Sequence, residues 1–250
     1  MINLKTTREL RYMRDAGKIS QEALLKAGEA VRPGVSTLEL DKIVRRTIEK
    51  AGAVPSFLGY GGFPASACIS VNNVVIPGIP SAHESLKEGD IVSIDVGAIY
   101  EGFNGDNAWT FPCGKVSEEA QKLMDATRES LFLAIEKAVP GNRIGDIGSA
   151  VQQYVEARNY SVVREFVGHG VGAKLHEDPS VPNYGTPGRG VRLLPGMTIA
   201  IEPMVTQGSC EVKILKDGWT TVTKDGKLAA HFEHSIAITP DGPVILTSLD

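Results

Sequence analysis

Cysteine is scarce in this chain. Cys68, Cys113 and Cys210 are three among 250 residues, odd in number and without a CxxC pair. A disulfide framework and a thiolate zinc site are therefore not expected, and a reducing cytoplasm is the expected setting. Basic charge is also short. The 26 Lys and Arg against 30 Asp and Glu leave a net charge of -4, the wrong sign for a general nucleic-acid or membrane-surface binder. No apolar run approaches the roughly 18 residues of a membrane span, and the opening MINLKTTREL lacks the apolar stretch of a signal peptide. Low-complexity segments and obvious flexible linkers are missing as well. What is present is an ordinary globular composition, 42% hydrophobic and 22% charged, on a chain long enough to bury a proper core.

Helical patterns occur in two pairs. Thr6-x-x-Glu9 has the form of a capping box and opens a helix running towards Val31. Ser36-x-x-Glu39 opens a second, which buries Leu40, Ile43, Val44 and Ile48 and stops at Gly52. Ser117 heads a third reaching about Val139, and a fourth spans about Ile144 to Arg158, with Asn159 placed to end it. Shifting the sequence by 107 residues lays one pair on the other. Glu22 falls on Glu129, Leu24 on Leu131, Pro33-Gly34 on Pro140-Gly141 and Val44 on Val151. The same shift carries LKEGDIVSIDV (86–96) onto LLPGMTIAIEP (193–203), so that Asp95 falls on Glu202. Helix-loop-helix patterns resemble each other by chance, but a constant offset that also carries a Pro-Gly turn, a Gly-led strand and a carboxylate indicates duplication. The expected architecture is α+β: two halves, about 1–115 and 116–250, related by a pseudo-two-fold axis, with helices outside a curved antiparallel sheet, forming one domain over 1–250.

The acids lie in apolar strands. IVSIDVGAIYEGFNGDNAWTF (91–111) reads as a hairpin about Glu101-Gly102. A two-residue loop sets Asp95 opposite Ala108 and Asp106 opposite Gly97, both acids on one face. That face also carries Ser93, Gly97 and Ala108, so nothing bulky is expected to crowd the carboxylates. Two carboxylates directed inwards are costly unless something cationic joins them. Glu202 in TIAIEPM and Glu233 in AAHFEHSIAIT repeat the pattern of an acid in an apolar strand, with Pro203 marking a strand that bulges or ends. His169 in VGHGVG is flanked by glycines that let a ligand approach. Individually, a strand Glu is more often an edge residue and a Gly-flanked His a loop residue; five together indicate a metal centre. Oxygen donors with one imidazole suit Mn, Fe(II), Co or Zn. Four carboxylates balance two such divalent ions, which at about 3.5–4 Å apart would activate water for attack on a carbonyl.

These motifs also carry a resemblance. SIDVGAIYEGFNGDNAWTF, GHGVGAKLHEDP, IEPMV and FEHSIAIT resemble, in order and along essentially the whole chain, the signatures of the pita-bread metallopeptidases, most nearly type I methionine aminopeptidases. The long insertion of the type II enzymes between His176 and Glu202 is missing, and no zinc-finger extension is expected. The resemblance implies a pita-bread fold and two divalent ions. Asp106, His169, Glu202 and Glu233 would hold one, and Asp95 the other, with Asp106 and Glu233 bridging. Glu202 would shuttle a proton and His176 would hydrogen-bond the substrate carbonyl. Phe57, Tyr60, Phe63, Cys68, Leu175 and Trp219 would line a methionine pocket. The implied substrate is the amino terminus of a nascent polypeptide with a small second residue, met in passing near the ribosome by a cytoplasmic monomer.

One position departs from the family. Where methionine aminopeptidases carry a histidine in V-x-H-G-I-P, this chain reads VVIPGIP (74–80), with Pro77 at the histidine position. Proline offers no side-chain donor or acceptor, and loss of such a group typically costs about 10²–10⁴ in rate. Two alternatives follow: a weakened or non-catalytic relative that still binds metal and peptide amino termini, and a proline-directed enzyme of the same fold. The second is disfavoured because such enzymes usually carry an extra amino-terminal domain. His83 lies in a polar loop and is not expected to replace the missing histidine.

Overall fold

The helices start where their caps place them. In the computed structural model, which describes residues 2–249, α1 (Thr7–Glu29) and α2 (Thr37–Lys50) each open on a complete capping box. Thr6 and Ser36 accept from the N–H groups of Glu9 and Glu39, whose carboxylates return to the cap N–H at 2.7 and 2.9 Å. The Ser117 hydroxyl caps α3 (Glu118–Glu136), and the Asp146 carboxylate accepts from Arg143 N–H at 2.7 Å at the head of α4 (Ile144–Glu156). Helices α1, α3 and α4 end two or three residues earlier than expected. Their last turns tighten into i→i+3 bonds, from Ala30 N–H to Ala27, Lys137 to Ala134 and Arg158 to Val155. Ile43, expected in the core, is only half-buried.

The duplication read at an offset of 107 residues recurs in the backbone. Gly34 N–H donates to the Leu86 carbonyl and Leu86 N–H to Val35; correspondingly, Gly141 donates to Leu193 and Leu193 to Asn142. Isolated bridges join Ser36 to Ser85 in one half and Arg143 to Arg192 in the other. The left-handed turns match as well: φ is 90° and 95° at Gly34 and Gly141, and 75° and 61° at Gly52 and Asn159, which follow α2 and α4. Chance likeness between amphipathic helices does not reproduce hydrogen bonds pair by pair.

The first half contributes β1 (Val54–Pro55), β2 (Ala67–Val71), β3 (Ile91–Tyr100) and β4 (Phe103–Pro112). The second contributes β5 (Ser161–Val162), β6 (Gly168–Gly170), β7 (Glu177–Val181), β8 (Thr198–Ile201), β9 (Met204–Thr206), β10 (Val212–Ile214), β11 (Thr221–Thr223), β12 (Ala229–His231), β13 (Glu233–Thr239) and β14 (Gly242–Ile245). Nine of these form one antiparallel sheet running β1-β3-β4-β13-β8-β6-β7, with β2 also on β3 and β14 on β13. The junction of the halves is therefore β4 against β13. The β3–β4 hairpin turns at Glu101 and Gly102, whose φ values of 51° and 80° fit a two-residue primed turn.

Each helix pair covers its own half of the sheet. Leu24, Leu40, Ile48 and Ile94 are buried in one core, and Leu123, Leu131, Ile147 and Ile199 in the other. Each such side chain contributes about 1.5–3 kcal/mol by leaving water. Trp109 packs against both cores and joins them. Among the described residues no helix is long and apolar enough to cross a membrane.

Candidate metal centre and substrate cavity

Strand register puts the acids in one row. Cys68 on β2 pairs with Asp95 on β3, Asp95 with Ala108 on β4, and Ala108 with Glu233 on β13. Paired residues share a face, so this row crosses the junction of the halves with its side chains directed alike. Asp106 lies opposite Gly97, on the same face and two residues from Ala108. The reading that nothing bulky lies over this face needs correction at Gly97. A Cβ there would meet Phe57 Cε1 and Ser56 Cβ, each at 2.7 Å, so the glycine admits the 56–57 segment rather than leaving open space. Glu202 follows the end of β8, where Pro203 interrupts the strand as anticipated, and its carbonyl accepts from Asn183 Nδ2 at 3.0 Å.

His169 enters from β6. Its Nδ1 lies 2.9 Å from the Gly170 carbonyl, which can only accept, so Nδ1 is the donor and Nε2 keeps its lone pair. That Nε2 faces Glu202 Oε1 at 3.5 Å and Asp106 Oδ2 at 3.7 Å. Burial, and then the neighbouring His176, push His169 down to about 4, which keeps the ring neutral, the form that ligates metal.

The four carboxylates are nearly closed to solvent: Asp95, Asp106, Glu202 and Glu233 are 7, 3, 7 and 2% exposed. Burial lifts Asp106 to about 7. Burial first, and then mutual repulsion, hold Asp95, Glu202 and Glu233 well above the usual carboxylate range. Asp95 Oδ1, Asp106 Oδ1 and Glu233 Oε1 are buried without a hydrogen-bond partner. Such a cluster is costly on its own and becomes favourable around cations. Donor atoms of Asp106, His169 and Glu233 lie within 4.8 Å of one another, a spacing that fits a divalent ion. Asp95 is outside that grouping and is linked to it by the repulsion between its carboxyl and that of Asp106.

One neighbour was missed in the sequence. His231, 2% exposed at the end of β12, brings Nε2 to 3.7 Å from Glu202 Oε2 and 4.0 Å from Glu233 Oε2. Burial takes it down to about 3, so it too is neutral. Glu202, His231 and Glu233 form a second grouping within 4.8 Å. The available signal was its spacing: His231 stands two residues before Glu233 and so shares its strand face.

A cavity of about 260 Å³ opens on the acids. That is slightly below the usual range for drug-sized ligands and suits one side chain with its adjoining amide. Every expected pocket residue lines it: Phe57, Tyr60, Phe63, Cys68, Leu175 and Trp219. The Phe63 and Trp219 rings meet edge-on, 5.5 Å apart, and close one side. Burial and the adjacent acids raise the Cys68 thiol well above its ordinary value, so it is a neutral wall. His176 stands at the rim with Nδ1 2.7 Å from Tyr60 Oη, and its ring meets that of His169 at 4.2 Å. Ile76, Pro77, Phe166 and Val167 complete the lining. Of these, Ile76, Phe166 and Val167 were not anticipated, although Phe166-Val167 directly precede the Gly-flanked His169. Pro77 thus faces the same space as the acids, whereas His83 is exposed and outside it.

Known proteins resemble this chain along essentially its whole length. The profile of metallopeptidase family M24 matches residues 11–240. A methionine aminopeptidase from Clostridium perfringens is 59% identical, with 99% of each chain covered. The crystal structure of methionine aminopeptidase from Thermotoga maritima superposes with a TM-score of 0.98 at 47% identity, covering 99% of this chain and 100% of that one. Prolidase from Pyrococcus furiosus, at 24% identity and a TM-score of 0.79, covers 99% of this chain but only 66% of that one; it shares the fold. The chain belongs to metallopeptidase family M24 and, within it, to the type I methionine aminopeptidases.

Proposed function

We infer that this chain, acting as one catalytic domain, removes the initiator methionine from nascent polypeptides whose second residue is small. The observation that carries this reading is the buried acid cluster opening into an apolar, thiol-walled cavity of single-side-chain size. Full-length identity to methionine aminopeptidases supports the same substrate. Asp106, His169, Glu202 and Glu233 would hold one divalent ion, and Asp95, with Asp106 and Glu233 shared, a second; Mn, Fe(II), Co and Zn all suit this donor set. The bound ions supply Lewis acidity and lower the pKa of water. The setting proposed is a cytoplasmic monomer that meets its substrates near the ribosome.

The remaining steps belong to the chain's own side chains. Phe63, Trp219, Leu175 and Cys68 take the methionine side chain out of water, and the soft thiol and ring edges suit its thioether. In this reading the substrate's α-amino group lies towards Asp95 and its scissile carbonyl towards His176. With Tyr60 Oη donating to Nδ1, the neutral His176 ring carries its proton on Nε2, where it can donate to the carbonyl oxygen as charge develops. Glu202 accepts the proton of the attacking water and returns it to the departing nitrogen.

A second reading is favoured by Pro77. It stands in the cavity wall without a donor where the family has histidine, so the leaving amide lacks one partner and turnover is slowed while metal binding remains. The test is methionine release from a Met-Ala-Ser peptide after addition of Co, Mn or Fe(II), beside Pro77→His and an Asp95→Ala control. No release from any form with metal shown to be bound overturns the aminopeptidase reading. Equal, vigorous release with proline and histidine overturns the weakening.

A further inference from the structure

The duplication singles out a residue that the mechanism above leaves unused. In the first half Gly97 pairs with Asp106. Shifted by 107 residues, Gly97 corresponds to Met204, and Met204 pairs with His231. His231 is therefore the positional counterpart of Asp106, on the other side of the junction between the halves. It does not line the cavity, so it reaches no substrate atom. Its Nε2 is fully buried, has no hydrogen-bond partner, and points at the second oxygen of Glu202. The two oxygens of Glu202 thus face different imidazoles, Oε1 facing His169 at 3.5 Å and Oε2 facing His231 at 3.7 Å.

We propose that His231 is a positioning residue of the metal centre: its Nε2–H donates to Glu202 Oε2 in the metal-loaded protein and holds Oε1 on the side of His169. An unpaired buried donor is unfavourable, and a carboxylate oxygen is the nearest acceptor to hand. The 3.7 Å contact to Glu202 Oε2 lies just beyond hydrogen-bond length, and Glu233 Oε2, at 4.0 Å, is farther. His231 thereby does for a ligating carboxylate what outer hydrogen-bond partners do for metal ligands generally, a role whose loss typically weakens metal binding by about 10–100-fold. The inference rests on the metal-centre reading, and the test separates the two.

Apoprotein is titrated with Mn²⁺ by calorimetry for wild type, His231→Leu, His231→Phe and His231→Gln, with Co²⁺ visible spectra recorded alongside. The expected result is unchanged stoichiometry throughout. Affinity falls about 10–100-fold in the apolar variants and recovers in the glutamine variant, whose amide N–H replaces the donor. The Co²⁺ spectrum shifts in the apolar variants and returns with glutamine. If leucine does not fold in this site, phenylalanine provides the apolar arm, and the glutamine rescue is read against it. Wild-type affinity in an apolar variant overturns the proposal, as does a glutamine variant as weak as the apolar one. Loss of one metal equivalent in every variant also overturns it, because His231 would then be a direct ligand. Absence of Mn²⁺ binding by the wild type overturns the metal centre itself.

Discussion

Stripped of divalent metal, the protein should lose stability relative to its Asp106→Asn variant as pH rises from 5 to 6. Unfolded carboxylates give up their protons near pH 4. In the fold burial keeps the proton of Asp106 to about 7, and burial and mutual repulsion raise Asp95, Glu202 and Glu233 well above the usual range. Between about pH 4 and 7 native Asp106 therefore binds a proton that the unfolded chain has lost, and stability falls by about 1.4 kcal/mol per pH unit on its account. The buried histidines act in the opposite sense. His169, His231 and His234, lowered to about 4, 3 and 4, favour the fold increasingly as pH rises towards the ordinary histidine value and add nothing beyond it. They are common to wild type and Asp106→Asn, so the difference between the two isolates Asp106. From pH 5 to 6 that difference changes by about 1.4 kcal/mol, or roughly 3–6 °C in Tm for a chain of this length. The assay is thermal unfolding by circular dichroism in EDTA at pH 5.0, 5.5 and 6.0, for wild type and Asp106→Asn. The variant has no proton to lose at this position, so its apo Tm should gain on that of wild type across the interval. Excess Mn²⁺ should raise the wild-type Tm; at 100-fold over Kd the gain is about 2.7 kcal/mol. A wild-type apo Tm that stays level with the variant's, or gains on it, across the interval would refute the account of the buried acids.

Three further outcomes follow from the same geometry. Pro77→His should raise kcat on a Met-Ala-Ser peptide by about 10²-fold or more, with Mn²⁺ stoichiometry unchanged by calorimetry. Tyr60→Phe should remove the partner of His176 Nδ1 and lower kcat by about tenfold, more than it raises KM, in steady-state assays across the same peptide. Gly97→Val should force Ser56 and Phe57 off β3, destabilise the fold by about 1–3 kcal/mol in urea titration, and raise KM as Phe57 moves in the cavity wall.

The sequence made the frame legible because its signals are local or periodic. Capping boxes at Thr6 and Ser36, the Glu101-Gly102 turn and the spacing from Asp95 to Asp106 are short-range, and backbone geometry follows from them directly. The constant offset made the pairing of Asp95 with Glu202 readable without coordinates. What was not readable depends on contacts between distant segments. The space at Gly97 is taken by Phe57 from a loop some forty residues earlier, and the helix ends depend on how each last turn tightens. His231 went unnoticed because an imidazole in an apolar strand resembles an ordinary core residue until the register of β12 against β9 is known. Pro77 was legible only through the family pattern, since a proline in a loop is otherwise unremarkable.

The duplicated frame also explains why the two halves carry different side chains at equivalent places. The register that pairs Asp95 with Ala108 makes Glu233 the counterpart of Ala108, and these two residues pair with each other across β4 and β13. The pseudo-axis therefore passes through that pair. A symmetric protein would place two glutamates there, directly opposite, adding a further buried charge to a cluster already held far above its ordinary protonation range. Alanine at one position and glutamate at the other leave a single carboxylate near the axis, where, on the proposed two-ion reading, it would be shared. The same logic applies one step away, where His231 is the counterpart of Asp106. Two carboxylates there would bring a fifth buried acid to the centre, with no matching cation charge. A neutral imidazole keeps a hydrogen-bond donor at that place and, on the proposed two-ion reading, leaves four acids to balance two divalent ions; divergence between the halves would then be what fits such a site into a symmetric frame.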